Sequence, residues 1–543
     1  MEIQDRQVPA GGRVLTLMLV VTGIGLGMRL WRLTEGGLDY HELILARLTT
    51  GDVDELWRQI LVGRPPLYPA LTWLLAQMFG TSLWALRLPS ALFSAAAVPF
   101  VFLAGRRLFD GRVGMLAAVM MAISPFQLQF AQSHRYYGLM VFLGVVSVWL
   151  LLRALGVGQG GRAGGDRRDW ASYIAVSTLL FYTQPMAMFT VAAVAVVMGV
   201  MTVRGGLCSR QQARFWGAQI AIVALALPWL VMPILEVIRN TPQHVLEEGR
   251  VPWLAVPTWY TPVRAPINFL VLWVGHLKPV SVVAGSALLA AGALGAVLRG
   301  RSRGRGRGGF ANLWGLRRWV GSLGQSVMTG WWERERSWGF VGSWALGPLL
   351  LGLAVSWTMK PVYQDHYFIP ASPGFYIALA ALLVIARKAV PLRASFSALG
   401  VVMVGAAISY YEAPDRNAWA DAQAWVAAHR GHDERIAFAS ERGVAGEADH
   451  LRLNWLWYGR DADSLVAASD PLVSLEDGAP LLGVRLRAVC GKHAGLWLLV
   501  RRAEDGGERA WFPKILDGPQ GGVVVTDHVV FGDLVILRAQ PVK

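Results

Sequence analysis

Apolar runs of about 20 residues, separated by short polar loops, recur along most of this chain, and an α-helix of that length and composition is what crosses a bilayer. Such runs fall at about 14–33, 87–107, 112–131, 137–155, 170–185, 186–203, 214–235, 279–299, 339–358, 367–387 and 394–411. Two shorter apolar pieces, 66–79 and 265–277, would reverse the side of every later loop if they crossed. The basic residues decide against both. With the amino terminus inside, Arg106, Arg107 and Arg112 fall on the inner side, with Arg153, Arg162, Arg167, Arg168, Arg204, Arg210 and Arg214. The run Arg299 to Arg307 and the group Arg387, Lys388 and Arg393 join them, as the excess of basic residues in inner loops requires. The short pieces therefore read as interfacial or re-entrant helices. An odd number of spans, about eleven, sends the carboxy-terminal part outward.

The fold class that follows is mostly α: a polytopic membrane helix bundle over residues 1–411, with a first outer loop at 34–86, and a C-terminal soluble α/β domain at 412–543. In that last part a helical pattern runs through Ala418 to Val426, and β-rich runs appear at Leu496 to Val500, Gly522 to Val525 and Leu534 to Leu537. It shows no Gly-rich phosphate loop, nucleophile elbow or metal-ligand spacing, and reads as a scaffold or recognition lid. The run Val14 to Leu30 has no small-residue cleavage site and reads as an uncleaved anchor. A net charge of +15 raises nucleic acid as a partner, but the charge lies in loops where it sets topology, so nucleic-acid binding is set aside. Cys208 and Cys490 lie far apart and indicate neither a disulfide framework nor a thiolate metal site.

Only 16% of the residues are charged, so polar groups collected on one face stand out. The outer loops hold Asp39, Tyr40, His41, Glu42, Arg64 and Tyr68, then Gln132 to Tyr137, then Glu236 to Arg264, then Lys360 to Tyr367. Charges at the ends of spans are costly unless they pair or face an aqueous cavity, which makes their convergence a site hypothesis. A carboxylate there can take a proton from an acceptor hydroxyl. Arginine, histidine and tyrosine can hold a phosphate as it leaves, and aromatic rings offer flat faces to a sugar or an isoprenoid. The outer side of a membrane holds no nucleotide sugars, so a transferase working there needs a lipid-carried donor.

Several short motifs, in order, carry a resemblance. They are Leu38-Asp39-Tyr40-His41-Glu42, Arg64-Pro65-Pro66-Leu67-Tyr68, the stretch from Phe79 to Ser90, Gly105-Arg106-Arg107-Leu108-Phe109, Ser124-Pro125 leading into Ala131 to Leu139, Leu227-Pro228-Trp229-Leu230, and Asp365-His366-Tyr367-Phe368-Ile369-Pro370. Over residues 12–411 the chain resembles the bacterial integral-membrane glycosyltransferases of the GT-C class, which include relatives of dolichyl-phosphate-mannose protein mannosyltransferases and the lipid A aminoarabinose transferase. The resemblance implies an inverting transfer of a sugar from a polyprenyl phosphate to a lipid, glycan or protein acceptor outside the bacterial inner membrane. Asp39 is then the base with Glu42 assisting, and Tyr40, His41, Arg64, Tyr68, Arg135, Tyr137 and His366 are the donor-binding residues.

The chain departs from the family pattern at three polar positions. His41-Glu42 stands where Asp-Glu is usual, Ser133 where Glu is usual, and His366 where Arg is usual. A divalent cation, Mg or Mn, bridging a carboxylate and the donor phosphate stays open, since no ligand spacing demands one. The competing readings are a lipid or glycan transporter, for which polar residues near the midplane are expected, and a non-catalytic envelope-assembly protein. For single residues the plainer readings are helix capping for Asp39 and Glu42, and interfacial anchoring for Arg64 and Arg135.

Overall fold

A computed structural model describes residues 11–35, 38, 40–61, 65–157, 165–203, 209–240, 257–258, 260–271, 328–358, 363–386, 392–412, 418–430, 434–440, 495–501, 523–531 and 534–541. Asp39, Arg64, the span expected at 279–299, the Arg299 to Arg307 run and both cysteines lie outside them. The chain divides into two compact units, Met1–Leu33 with Leu48–Tyr410, and Thr34–Arg47 with Tyr411–Lys543.

The first unit is helical. It contains α1 (Gly11–Leu30), the end of α2 (Tyr40–Thr50), α3 (Val53–Leu61), α4 (Leu67–Phe79), α5 (Leu83–Leu108), α6 (Gly111–Ile123), α7 (Pro125–Ala131) and α8 (Tyr137–Ala154). It continues with α9 (Arg167–Thr183), α10 (Met188–Val203), α11 (Ser209–Asn240), α12 (Thr261–Val271), α13 (Met328–Thr358), a 3-10 segment Asp365–Ala371, α14 (Ser372–Ala386) and α15 (Leu392–Tyr411). Among the described residues 6 helices are long and apolar enough to cross a membrane, or 7 if the bent pair α6 and α7 is one span. Helices α9, α11 and α15 occupy the runs expected at 170–185, 214–235 and 394–411.

The run expected as one straight span at 112–131 is broken, because Pro125 has no N–H to continue the ladder. The chain bends there by 54°. Ser124 caps the new helix by accepting from the Gln127 N–H at 3.3 Å, and its hydroxyl donates to Phe269 O at 2.8 Å. Tyr376 Oη donates to the same carbonyl at 2.7 Å, which ties α12 to the break.

The two ends of this bundle differ in chemistry. At one end Arg153 pairs with Asp169 at 2.7 Å, Arg107 donates to Val157 O and Arg214 to Gly165 O. Asp110 and Asp166 are there because helix starts have spare N–H groups; each accepts two of them, at the heads of α6 and α9. Helix α8 is 18 residues long, so at ~1.5 Å per residue Arg153, in its last turn, and Arg135, just before it, are about 27 Å apart. Gly138 makes the Arg135 end of α8 fit, since a Cβ there would collide with Ser90 O of α5.

Buried charge also builds this end. Arg29 is wholly buried and donates to Ser94 Oγ at 2.9 Å, Gly25 O at 2.8 Å, Ala122 O at 2.9 Å and Met121 O at 3.1 Å. Ala122 and Met121 end α6, where carbonyls lack helical partners, so the guanidinium binds α1 to α6 by satisfying them. Leaving two such acceptors bare costs roughly 1–3 kcal/mol each. Arg29→Leu is therefore expected to lower the thermal midpoint of the detergent-solubilised protein by several degrees, and Arg29→Lys, a point donor, to recover only part of it. An unchanged midpoint would show that the network contributes no stability.

The stretch 34–86, read from sequence as a polar loop with one apolar piece, contains α2 and α3 as well as α4. In α3, Val53, Trp57 and Leu61 lie at four-residue spacing and are exposed, while Leu56 packs inward. Leu74, Met78 and Phe79 of α4 are exposed too. In α3 the stripe is accompanied by Asp54, Glu55 and Arg58, the pattern of an amphipathic helix, whereas α4 carries no charged residue.

In the second unit α16 (Ala418–His429) accompanies a sheet of β1 (Glu434–Ser440), β2 (Gly495–Arg501), β3 (Val523–Phe531) and β4 (Leu534–Pro541). The strand order is β1-β2-β4-β3, with β1 parallel to β2 and the other pairs antiparallel. Glu434 is buried and accepts from Trp497 Nε1 at 2.8 Å and from Arg538 at 2.7 and 2.9 Å, so its charge is neutralised inside the sheet. Trp425 of α16 meets Trp497 edge-on at 5.2 Å.

Candidate active site

The short connection between α7 and α8 carries Gln132, Ser133, His134, Arg135 and Tyr136, and each of these side chains has a hydrogen-bond partner. Gln132 donates to Arg29 O at 3.0 Å and Trp31 O at 2.7 Å, and accepts from Tyr410 Oη at 3.0 Å. It satisfies the carbonyls left open where α1 ends, just before Arg32 turns to φ 56°. His134 is fully buried, with Nδ1 2.8 Å from Leu86 O and Nε2 3.2 Å from Thr49 Oγ1.

Arg135 is 8% exposed, donates to Tyr137 Oη at 2.9 Å, and has its guanidinium carbon 5.3 Å from the Tyr136 ring centre and 5.0 Å from that of Tyr137. Rings this close to a guanidinium hold it by cation–π attraction. His366 comes from the 3-10 segment far along the chain, and its ring lies 5.2 Å from Tyr137 and 5.6 Å from Phe130. Gln184, at the break after α9, donates to Tyr136 Oη at 2.7 Å and orients that ring.

Beside His366, Asp365 pairs with Arg264 of α12 at 3.3 Å and accepts from Asn268. Asp365 Oδ1, Arg264 Nε and Tyr363 Oη are buried, close to one another in this cluster. Burial, and then the Asp365 charge, hold the Tyr363 phenol well above its ordinary pKa, so it stays neutral and able to donate.

Of the residues selected from sequence, the structure brings Arg135, Tyr137 and His366 together. Tyr68, expected to offer a ring face to a ligand, has no exposed surface, and its ring packs 6.0 Å from His134. His41 is exposed and Glu42 is 3% exposed, both in the first turn of α2 and in the second unit. Tyr40 begins α2, and Asp39 and Arg64 lie outside the described residues. Sequence reasoning did not select His134, Gln184, Arg264 or Asp365. The last two stood in loops already assigned to this face, but their pairing is visible only in space. Among the described residues no group of three His, Cys, Asp or Glu side chains is placed to hold a metal ion.

A combination of buried guanidinium, imidazole and phenols suits an anionic group with an organic ring beside it. Residues 63–231 match the family described as dolichyl-phosphate-mannose-protein mannosyltransferase. YkcB of Bacillus subtilis (strain 168), whose name assigns it to the mannosyltransferases, is 28% identical over 100 residues, 18% of this chain. The chain spans 14% of the length of that curated relative. The fold is similar to that of ArnT from Cupriavidus metallidurans bound to undecaprenyl phosphate, with a TM-score of 0.52 and 14% identity over 97% of this chain and 98% of that one. The apo form of the same protein gives a TM-score of 0.53 and 12% identity over 98% of each chain.

Proposed function

We propose that this chain, a multi-pass membrane protein with the GT-C glycosyltransferase fold, is an inverting glycosyltransferase that takes its sugar from a polyprenyl-phosphate donor. The observation that supports this best is the Arg135 guanidinium, set against Tyr136 and Tyr137, with His366 against Tyr137, at the end of the bundle opposite the arginine-rich one. By the bias of basic residues the arginine-rich end is cytoplasmic, and the site faces outward from a bacterial inner membrane.

In this reading Arg135 and His366, with His41 and Arg64 of the first loop, hold the donor phosphate and stabilise it as it leaves. Tyr40 and Tyr137 offer their rings to the sugar or the first isoprene units, and Tyr68 supports the site from behind by packing on His134. Asp39, assisted by Glu42, takes the proton of the acceptor hydroxyl as the new glycosidic bond forms. The acceptor is a lipid, a glycan or a protein.

The test offers the purified protein a panel of radiolabelled polyprenyl-phosphate sugars, with a membrane lipid and protein extract as the source of acceptor. At least one donor should release polyprenyl phosphate and pass its label to a component of the extract. No turnover with any donor, together with no binding of undecaprenyl phosphate by folded protein, would overturn the reading in favour of a transport or assembly role.

A further inference from the structure

We propose that His134 is a positioning residue for the transfer reaction, locking the loop that carries Arg135 onto the ends of α2 and α5. The proposal rests on Arg135 contacting the donor phosphate. Leu86 O can only accept, so Nδ1 of His134 carries the ring proton and donates to it at 2.8 Å. In the neutral ring Nε2 is then an acceptor, and the Thr49 hydroxyl lies 3.2 Å away. Thr49 is the penultimate residue of α2, the helix that opens with Tyr40, His41 and Glu42.

The Thr49 hydroxyl also meets Thr72 Oγ1 at 3.2 Å, and Thr72 turns its proton back onto α4 at Tyr68 O, 3.0 Å, and Pro69 O, 3.1 Å. One buried imidazole thus joins the loop that carries Arg135 to α2 and α5. The neighbouring anchors are separate: Gln132 holds the loop to α1 and α15, and Gln184 holds Tyr136. Between them Arg135 has few positions to sample. Displacing a catalytic contact by ~1 Å costs about 100-fold in rate, so a rigid mount for Arg135 acts on the reaction itself.

A histidine that only filled the core would have the same burial, so the test is a double-mutant cycle on binding of undecaprenyl phosphate by the full-length protein in detergent, with the thermal midpoint recorded for each variant. Arg135→Ala should weaken binding by roughly 30-fold. His134→Leu and Thr49→Val should each weaken it by roughly 5–10-fold, and neither should add to the loss in an Arg135→Ala background, because they act through the same side chain. His134→Asn, which keeps an N–H for Leu86 O, should recover most of the affinity. Losses that add in the double variants, or no loss from His134→Leu and Thr49→Val where Arg135→Ala has its effect, would overturn the positioning role and leave the phosphate contact standing. An Arg135→Ala protein that binds normally would overturn both. If His134→Leu does not fold, Thr49→Val, which removes one hydroxyl at constant volume, completes the cycle.

Discussion

Asp39→Asn is expected to lower kcat by about 10³-fold with little change in donor affinity, and Glu42→Gln to lower it by about 10- to 100-fold. A positioned general base contributes roughly 10²–10⁴-fold, and replacing carboxylate by amide removes the proton acceptor while keeping the shape. The unequal sizes follow from the assigned roles. Asp39 takes the acceptor proton, whereas Glu42 assists. Glu42 is 3% exposed in the first turn of α2, where the helix N-terminus favours negative charge.

If Glu42 served only to stabilise that turn, Glu42→Gln would cost about 0.3–1 kcal/mol of stability and leave turnover intact. Measuring both the thermal midpoint and the single-turnover rate with a polyprenyl-phosphate sugar separates the outcomes. A reversed order, with Glu42→Gln the more damaging, would move the base to the buried carboxylate. His41, in place of the more usual acid, would then matter through its exposed position ahead of it.

The membrane-crossing helices were legible because a bilayer imposes length and composition on every span. The strands at Gly495–Arg501 and Leu534–Pro541 were legible for a similar reason: Leu496 to Leu499 and Val535 to Leu537 are buried and apolar in short runs. Helices α2 and α3 were not legible, since 11 and 9 residues with several charges give no apolar window. For α3 the signal is instead the four-residue spacing of Val53, Trp57 and Leu61. Strand β1, Glu434–Ser440, begins with a buried charge that is explained only by Trp497 and Arg538, which lie far along the chain.

The site divides in the same way. Arg135, Tyr137 and His366 could be chosen because charged and aromatic residues at the ends of apolar spans are conspicuous. His134 could not, because a histidine in a loop carries no mark of the carbonyl and the hydroxyl that hold it. Arg264 and Asp365 needed the third dimension, because the bend at Ser124 and Pro125 and the bonds to Phe269 O are what hold α12 in reach.

Arg135→Lys, set against Arg135→Ala, should show how the cation is used. Arg135 sets a planar cation near both tyrosine rings and places one N–H on Tyr137 Oη. A lysine ammonium keeps the charge but has no plane to stack and no fork to offer. Arg135→Ala should lower kcat/KM for the donor by about 10³-fold, taking the loss of a charge-assisted contact as ~2 kcal/mol in binding and another ~2 kcal/mol in stabilising the leaving phosphate. Arg135→Lys should recover no more than about one-tenth of the lost activity. Tyr137→Phe, which removes the hydroxyl but keeps the ring, should cost about 3- to 10-fold, the size of one hydrogen bond. Full recovery by lysine would mean that the site needs only a point charge and that the aromatic frame serves packing. Normal kinetics in Arg135→Ala, in protein that melts at the parent temperature, would mean that this arginine only anchors the start of α8. The leaving phosphate would then have to be met elsewhere, and Arg264 with the neutral Tyr363 phenol would be the next group to test.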